Sequence, residues 1–175
     1  MTLPNHLLGG VVITGVFAAT VNGLNLLAAP EYLVVTTIAS VLPDLDNPVS
    51  PISRLAPGIA RWINRRYGHR TLTHSLTALI SLTLCCAILE RAFTPNSLSL
   101  SFFFAWGYFS HLLLDMCTIQ GVKLFYPFQK YACVIPGDPQ FRFQTGNIRH
   151  ETVFFCIALL CFTFLLPLFK NGFWT

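Results

Sequence analysis

The sequence predicts an all-α, integral-membrane helical bundle of four to five transmembrane helices with a polar, metal-binding face. Three observations carry this expectation. Of the 175 residues, 54% are apolar and only 10% charged, where an ordinary soluble domain carries about 25% charged residues. The mean hydropathy is +0.61. The apolar residues fall into five runs, and the few histidines and carboxylates stand near the ends of those runs. A chain of this length has room for one domain, spanning 1–175. The composition excludes disorder and a nucleic-acid binder built on a basic surface. Membrane lipids are the expected partners, and no direct nucleic-acid contact is expected.

The first run, Leu7 to Ala29, would be roughly 34 Å long as a helix, enough to span a bilayer. No Lys or Arg precedes it, so it lacks the positive region of a cleaved signal and is expected to stay in the mature protein. Pro30 and Glu31 read as a tight break. The second run, Tyr32 to Leu42, is too short to cross unless its flanks help, and a tilted or re-entrant segment fits it. A polar loop follows from Asp44 to Arg70, in which Ile59 to Tyr67 reads as a short interfacial helix with Ile59, Trp62 and Ile63 at the wet boundary. The third run is Thr73 to Leu89, closed by a polar turn from Glu90 to Ser97. The fourth run is Leu98 to Cys117, followed by a long loop from Thr118 to Glu151 rich in Pro and Gly. The fifth is Thr152 to Phe169. The six cysteines include no C-x-x-C pair and read as small packing residues.

If all five runs cross, Arg54, Arg61, Arg65, Arg66, Arg70, Lys123, Lys130, Arg142 and Arg149 fall on one side, and Arg91 and Lys170 on the other. The positive-inside rule makes the first side cytoplasmic, together with the N-terminus, and leaves the C-terminus outside. The same map collects His6, Asp44, Asp46, His69, His74, His111, Asp115 and Glu151 on the cytoplasmic side. Residues four apart share a helix face, so His111 and Asp115 can present an imidazole and a carboxylate together. Asp44 and Asp46, in an extended segment, would project to one side. His69 and His74, five apart, cannot share a face of one helix, which predicts His69 on the loop and His74 on the helix. His150 reads as a loop residue.

Ionisable groups at membrane depth are costly unless paired or coordinated, and a divalent cation resolves that cost for several at once. Histidine and carboxylate ligands without thiolate suit zinc, and also manganese or iron. Eight candidates exceed one tetrahedral site and would fill two or three, lowering the pKa of a bound water towards about 7. Arg70 is the candidate phosphate clamp. Glu151 or a free Asp44 is the candidate general base.

The strings Leu42-Pro43-Asp44-Leu45-Asp46-Asn47-Pro48, Gly68-His69-Arg70-Thr71-Leu72-Thr73-His74-Ser75 and Gly107-Tyr108-Phe109-Ser110-His111-Leu112-Leu113-Leu114-Asp115 follow His6 and precede Gly121 and Tyr126-Pro127. In this order they resemble the YdjM-type family of inner-membrane, metal-dependent hydrolases, from His6 to about Glu151. That family is distantly similar to the zinc phospholipase C and P1 nuclease group, helical enzymes with a trinuclear zinc cluster. The likeness implies a bacterial inner-membrane protein in which His111 and Asp115 form a ligand pair. It also implies His6, Asp46 and His74 as further ligands and a phosphodiester or phospholipid substrate. Three positions depart from the family pattern. Thr71 stands for a glycine, which removes a flexible position. Asn5 replaces another glycine, and Asn47 replaces a histidine.

The leading expectation is a membrane hydrolase acting on a phosphoester through metal-activated water. A metal-ion or proton transporter and a non-catalytic scaffold with a structural metal site are the other readings of the same residues. A reporter fused to the C-terminus should be active only outside the cytoplasm; activity inside would reverse the side assignment.

Overall fold

The computed structural model describes residues 1–21, 24–93 and 99–171. Among them are the helices α1 (Leu3–Ala19), α2 (Pro30–Ala39), α3 (Pro57–Tyr67), α4 (Leu76–Phe93), α5 (Leu100–Met116) and α6 (Ile148–Asn171). Short 3-10 turns cover Leu42–Asp46, Ile52–Leu55 and Pro139–Phe141. There is no strand among the described residues. Isolated bridges pair Thr118 with Phe143 and Val122 with Cys133 in the long loop. Two helical stretches, Leu76–Phe93 and Ile148–Phe169, are long and apolar enough to cross a membrane, and Leu3–Ala19 is a shorter apolar helix.

Two expected crossings are shorter than their apolar runs. α1 ends at Ala19, where the Thr20 hydroxyl donates to the Phe17 carbonyl at 2.7 Å. Hydropathy alone does not register the helix-breaking tendency of the Asn22-Gly23 and Asn25 stretch that follows. Beyond the break, Leu26 is buried and the Leu27 amide donates to the Phe169 carbonyl of α6 at 3.1 Å. α2 starts at Pro30 and takes Glu31 into its first turn, because proline suits the first helical position and a carboxylate suits the helix N-terminus. The expected break is therefore the start of a helix, and its 10 residues span only about 15 Å. Glu90 lies inside α4 rather than in a turn, and its carboxylate accepts from the Leu100 and Ser101 amides at 2.8 and 3.0 Å. These are the otherwise unpaired donors at the start of α5. Residues 94–97 of the expected turn, Leu98, Asn22 and the Lys170 side chain lie outside the described residues.

α5 is the central helix and packs on α1, α2 and α4, while α6 packs on α1. Toward the far end of the bundle, Val11, Ala18, Leu26 and Phe103 form an apolar cluster; Ala39, Tyr108 and Leu112 form another. The outward faces are apolar too. Ile80, Leu84 and Ile88 of α4 and Val153, Ile157, Leu160 and Phe164 of α6 are exposed, at the spacings of helical stripes. The cysteines are unpaired; Cys85, Cys156 and Cys161 are exposed on these faces rather than in the interior.

Close backbone approach lets α2 sit between α1 and α5. A Cβ on Gly107 would meet the Thr36 carbonyl at 2.7 Å, and one on Gly10 would meet the Ser40 Cβ at 2.6 Å. The result is an up-and-down arrangement in which the start of α1, the end of α2, the start of α4, the end of α5 and the start of α6 share one end. Backbone cannot yield as a flexible side chain does, so Gly107→Ala should cost about 1–3 kcal/mol. The check is a lower thermal midpoint of the detergent-solubilised protein.

Candidate metal centre

Four stretches meet at the shared end. α1 supplies His6 and α5 supplies His111 and Asp115. The 3-10 turn Leu42–Asp46 supplies Asp44 and Asp46, so these carboxylates leave a tight turn, not an extended segment. The turn ahead of α4 supplies His69, Arg70, Thr73 and His74. His74 is thus not on the helix but just before it, which frees its ring to face His111. His6, Asp46, His74, His111 and Asp115 are all buried, whereas Asp44 and His69 reach the surface.

The turn is held by its own polar groups. Gly68 and Arg70 both have positive φ, +80° and +59°. For a non-glycine residue that conformation costs on the order of 1–3 kcal/mol and persists only where its surroundings impose it. Here the Arg70 amide donates to Asp46 Oδ2 at 3.0 Å, and the Arg70 carbonyl accepts from Lys123 at 3.3 Å. The Thr71 hydroxyl reaches the Tyr67 and Gly68 carbonyls, each at 2.7 Å. The left-handed position is therefore Arg70, and Thr71 serves as a brace where a flexible residue was expected. Tyr108 of α5 donates to the Thr73 carbonyl.

Asp46 receives donors on both oxygens. His69 Nδ1 is 2.6 Å from Oδ1; the Thr73 hydroxyl is 2.6 Å and His74 Nδ1 3.3 Å from Oδ2. Burial pushes this carboxyl up, but the hydrogen bonds from His69 and His74 outweigh burial and hold it below the ordinary carboxylate range. It is ionised and acts as an acceptor. Since the Thr73 proton goes to Asp46, the Thr73 oxygen is left to accept, and His74 Nδ1, 3.1 Å away, carries a proton. His111 Nδ1 lies 2.7 Å from the Ser40 carbonyl, which only accepts, so His111 Nδ1 carries a proton too.

His74 Nε2 and His111 Nε2 face each other at 3.2 Å, within reach of one shared proton or cation. Asp44 Oδ1 is 3.8 Å from each of them, and Asp115 Oδ2 is 3.6 Å from His74 Nε2 and 3.9 Å from His111 Nε2. Ligands about 2.0–2.1 Å from a tetrahedral zinc lie roughly 3.3 Å apart, so both carboxylate oxygens stand at slightly expanded ligand separations from the two nitrogens. Two ring nitrogens this close call for a shared proton or a cation between them. His6 stacks on His111 with ring centroids 3.7 Å apart; its Nε2 is 3.3 Å from Asp115 Oδ1, outside hydrogen-bonding geometry, and its buried Nδ1 has no hydrogen-bond partner among the described residues. The residues fit a divalent cation. Ligand-type atoms of Asp44, Asp46, His69 and His74 lie within 4.8 Å of one another, and those of His6, His111 and Asp115 form a second such group.

Two expected site residues are engaged otherwise. Arg70 is buried, with its guanidinium 2.9 Å from Asp115 Oδ2 and 2.9 Å from the Thr118 hydroxyl; it holds a carboxylate in place instead of standing free. Glu151 belongs to neither group. It accepts from the Thr2 amide and hydroxyl at 3.2 and 2.8 Å and from the Asn5 amide group, fastening α6 to α1. Asp115 Oδ1 also meets the Met1 amino group at 2.6 Å. His150 accepts from the Gln144 amide at 3.1 Å, away from the site.

A model of the YdjM inner membrane protein family matches residues 1–173. The chain belongs to this family. Inner membrane protein YdjM of Escherichia coli (strain K12) is 31% identical over 175 aligned residues, covering 95% of this chain and 83% of the relative. The Shigella flexneri protein of the same name matches equally. A Bacillus subtilis (strain 168) protein called uncharacterized protein YvsG is 30% identical over 129 residues, covering 73% of this chain and 74% of its own. No solved structure matches.

In this YdjM-family chain the residues that sequence reasoning missed are those that orient ligands. Ser40 acts through its backbone carbonyl, which leaves no mark in a sequence. Thr73 and Tyr108 stood inside the recognised strings without an assigned role. Thr118 follows the apolar run and reads as an ordinary loop residue. Carboxylates behind a ligating histidine typically set affinity by 10- to 100-fold, about the loss expected for Asp46→Asn. Chelator titration against wild type measures it.

Proposed function

We propose that this chain is an integral-membrane, metal-dependent hydrolase of phosphoesters, a lipid headgroup among the candidates, with its site face and N-terminus cytoplasmic and its C-terminus outside. The observation that carries the reading is the pair of Nε2 atoms of His74 and His111, 3.2 Å apart and flanked by Asp44 and Asp115. These four residues would hold one ion, zinc first and manganese or iron otherwise, and the unsatisfied His6 nitrogen beside Asp115 supports a second. A divalent ion supplies Lewis acidity at the scissile phosphorus and makes water acidic enough to attack near neutral pH.

The chain's own residues do the rest. Asp46, Thr73 and the Ser40 carbonyl fix the tautomers of His74 and His111. Arg70 holds Asp115 against the site. Asp44 and His69 are the members that reach solvent. His69 donates its Nδ1 proton to Asp46 and keeps Nε2 available to exchange a proton with a substrate or water, the role first sought in Glu151. A cleft of about 310 Å³ lined by His69, Arg70, Gln120, Gly121, Val122, Lys123 and Ala132 opens beside them. Lys123 adds a cation on its wall, which suits an anionic substrate. The apolar cluster of Val11, Ala18, Leu26 and Phe103 closes the bundle beyond the site. That closure favours a hydrolase over a conduit, and the solvent-reaching Asp44 and His69 favour it over a closed structural site.

The purified protein should carry about one equivalent or more of a transition metal, and His111→Ala should lose it. In a screen of phosphodiester and phospholipid substrates, Asp115→Asn should abolish turnover. A metal-free wild type, or metal content unchanged in His111→Ala, would sink the proposal.

A further inference from the structure

We propose that α3 is a docking site for anionic phospholipid headgroups in the leaflet at the site end of the bundle. The inference rests on the membrane-spanning reading and not on hydrolysis. α3 carries Arg61, Arg65 and Arg66, with Arg54 in the turn before it, and no acidic residue occurs between Asp46 and Glu90. All four arginines are exposed, and none forms an ion pair among the described residues.

The helix is two-sided. Its inner face packs on the turns Leu42–Asp46 and Ile52–Leu55, with Ala60 buried and the Asn64 side chain donating to the Asp46 carbonyl at 2.9 Å. Its outer face sets apolar groups among the arginines: Ile59 and Trp62 are 55% and 61% exposed, and Leu55 just before the helix 81%. Gly58, Arg61, Trp62, Arg65 and Arg66 line an open groove of about 380 Å³. Nothing lies within 4 Å of the place a Gly58 Cβ would take. The Trp62 ring meets Tyr67 edge-on, centroids 6.0 Å apart.

Placement and chemistry select the occupant. α3 ends at Tyr67 and α4 starts at Leu76, with the site turn between them. A basic helix directly ahead of a spanning helix lies at the level of the headgroups. Guanidinium forks suit phosphate oxygens, tryptophan suits the membrane–water boundary, and clusters of basic residues there select anionic lipid. An acidic protein partner would satisfy the arginines and leave Leu55 and Ile59 in water; a leaflet satisfies both.

The test uses the full chain in nanodiscs, with Trp106→Phe and Trp174→Phe so that Trp62 is the remaining tryptophan. Brominated phosphatidylglycerol and brominated phosphatidylcholine are compared at equal mole fraction. Stronger Trp62 quenching by the anionic lipid is expected. Arg61→Gln/Arg65→Gln/Arg66→Gln should weaken that preference roughly a hundredfold, each arginine near an anionic surface contributing about fivefold. The corresponding triple lysine variant should keep it, which separates charge from misfolding. Equal quenching by both lipids, or an unquenched Trp62 with α3 cross-linking between copies, would overturn the proposal. Bound metal read on the same samples reports separately on the hydrolase reading.

Discussion

The rest of the structure depends on two imidazole nitrogens that face each other at 3.2 Å. Each is prepared from behind by an acceptor: the Ser40 carbonyl for His111, and the Asp46 carboxylate for His74. Each acceptor depends in turn on its own scaffold. Ser40 reaches His111 because Gly10 and Gly107 let α2 sink between α1 and α5. Asp46 reaches His74 because a 3-10 turn, a left-handed Arg70 and the Thr73 hydroxyl fix the loop around it. The helices are spaced and the loop is bent so that two imidazole nitrogens, Asp44 and Asp115 converge.

Charge placement follows the same logic. Burying Asp115 would be expensive in isolation, yet cations or imidazoles surround it: Arg70 and the Met1 amino group in contact, His6, His74 and His111 farther off. Arg70 gives up its freedom to bind a substrate and gains a geometric role. The cation that remains at the open cleft is Lys123, from the long loop.

Much of this was legible because polar residues are rare in the chain. In a sequence with so few charges, His6, Asp44, Asp46, His74, His111 and Asp115 stand out, and the map in which all five apolar runs alternate in direction brings them to one end. The i, i+4 relation of His111 and Asp115 followed from helix geometry. Lengths were less legible. Mean hydropathy over Leu7 to Ala29 hides turn-forming Asn and Gly, and Pro30 reads equally as a break and as a first helical residue. The placement of His74 was missed because spacing rules describe regular elements, and this residue sits in a turn whose shape is set by tertiary hydrogen bonds. Glu151 looked like a site residue for the right reason, its position at the shared end. Its hydrogen-bond partners, however, belong to the first turn of α1, which no local pattern announces.

That fastening of α6 bears on how the bundle can move. At the site end Glu151 grips Thr2 and Asn5, and at the far end the Leu27 amide takes the Phe169 carbonyl. A helix held near one end can still swing about that point, whereas one held at both ends cannot. An axial slip by one turn, about 5.4 Å, would break both sets of bonds together. α6 is therefore tied at the site end to the start of α1 and at the far end to the segment that leads into α2. Approach to the centre falls on the other side, where Asp44 and His69 reach the surface beside α3 and the long loop.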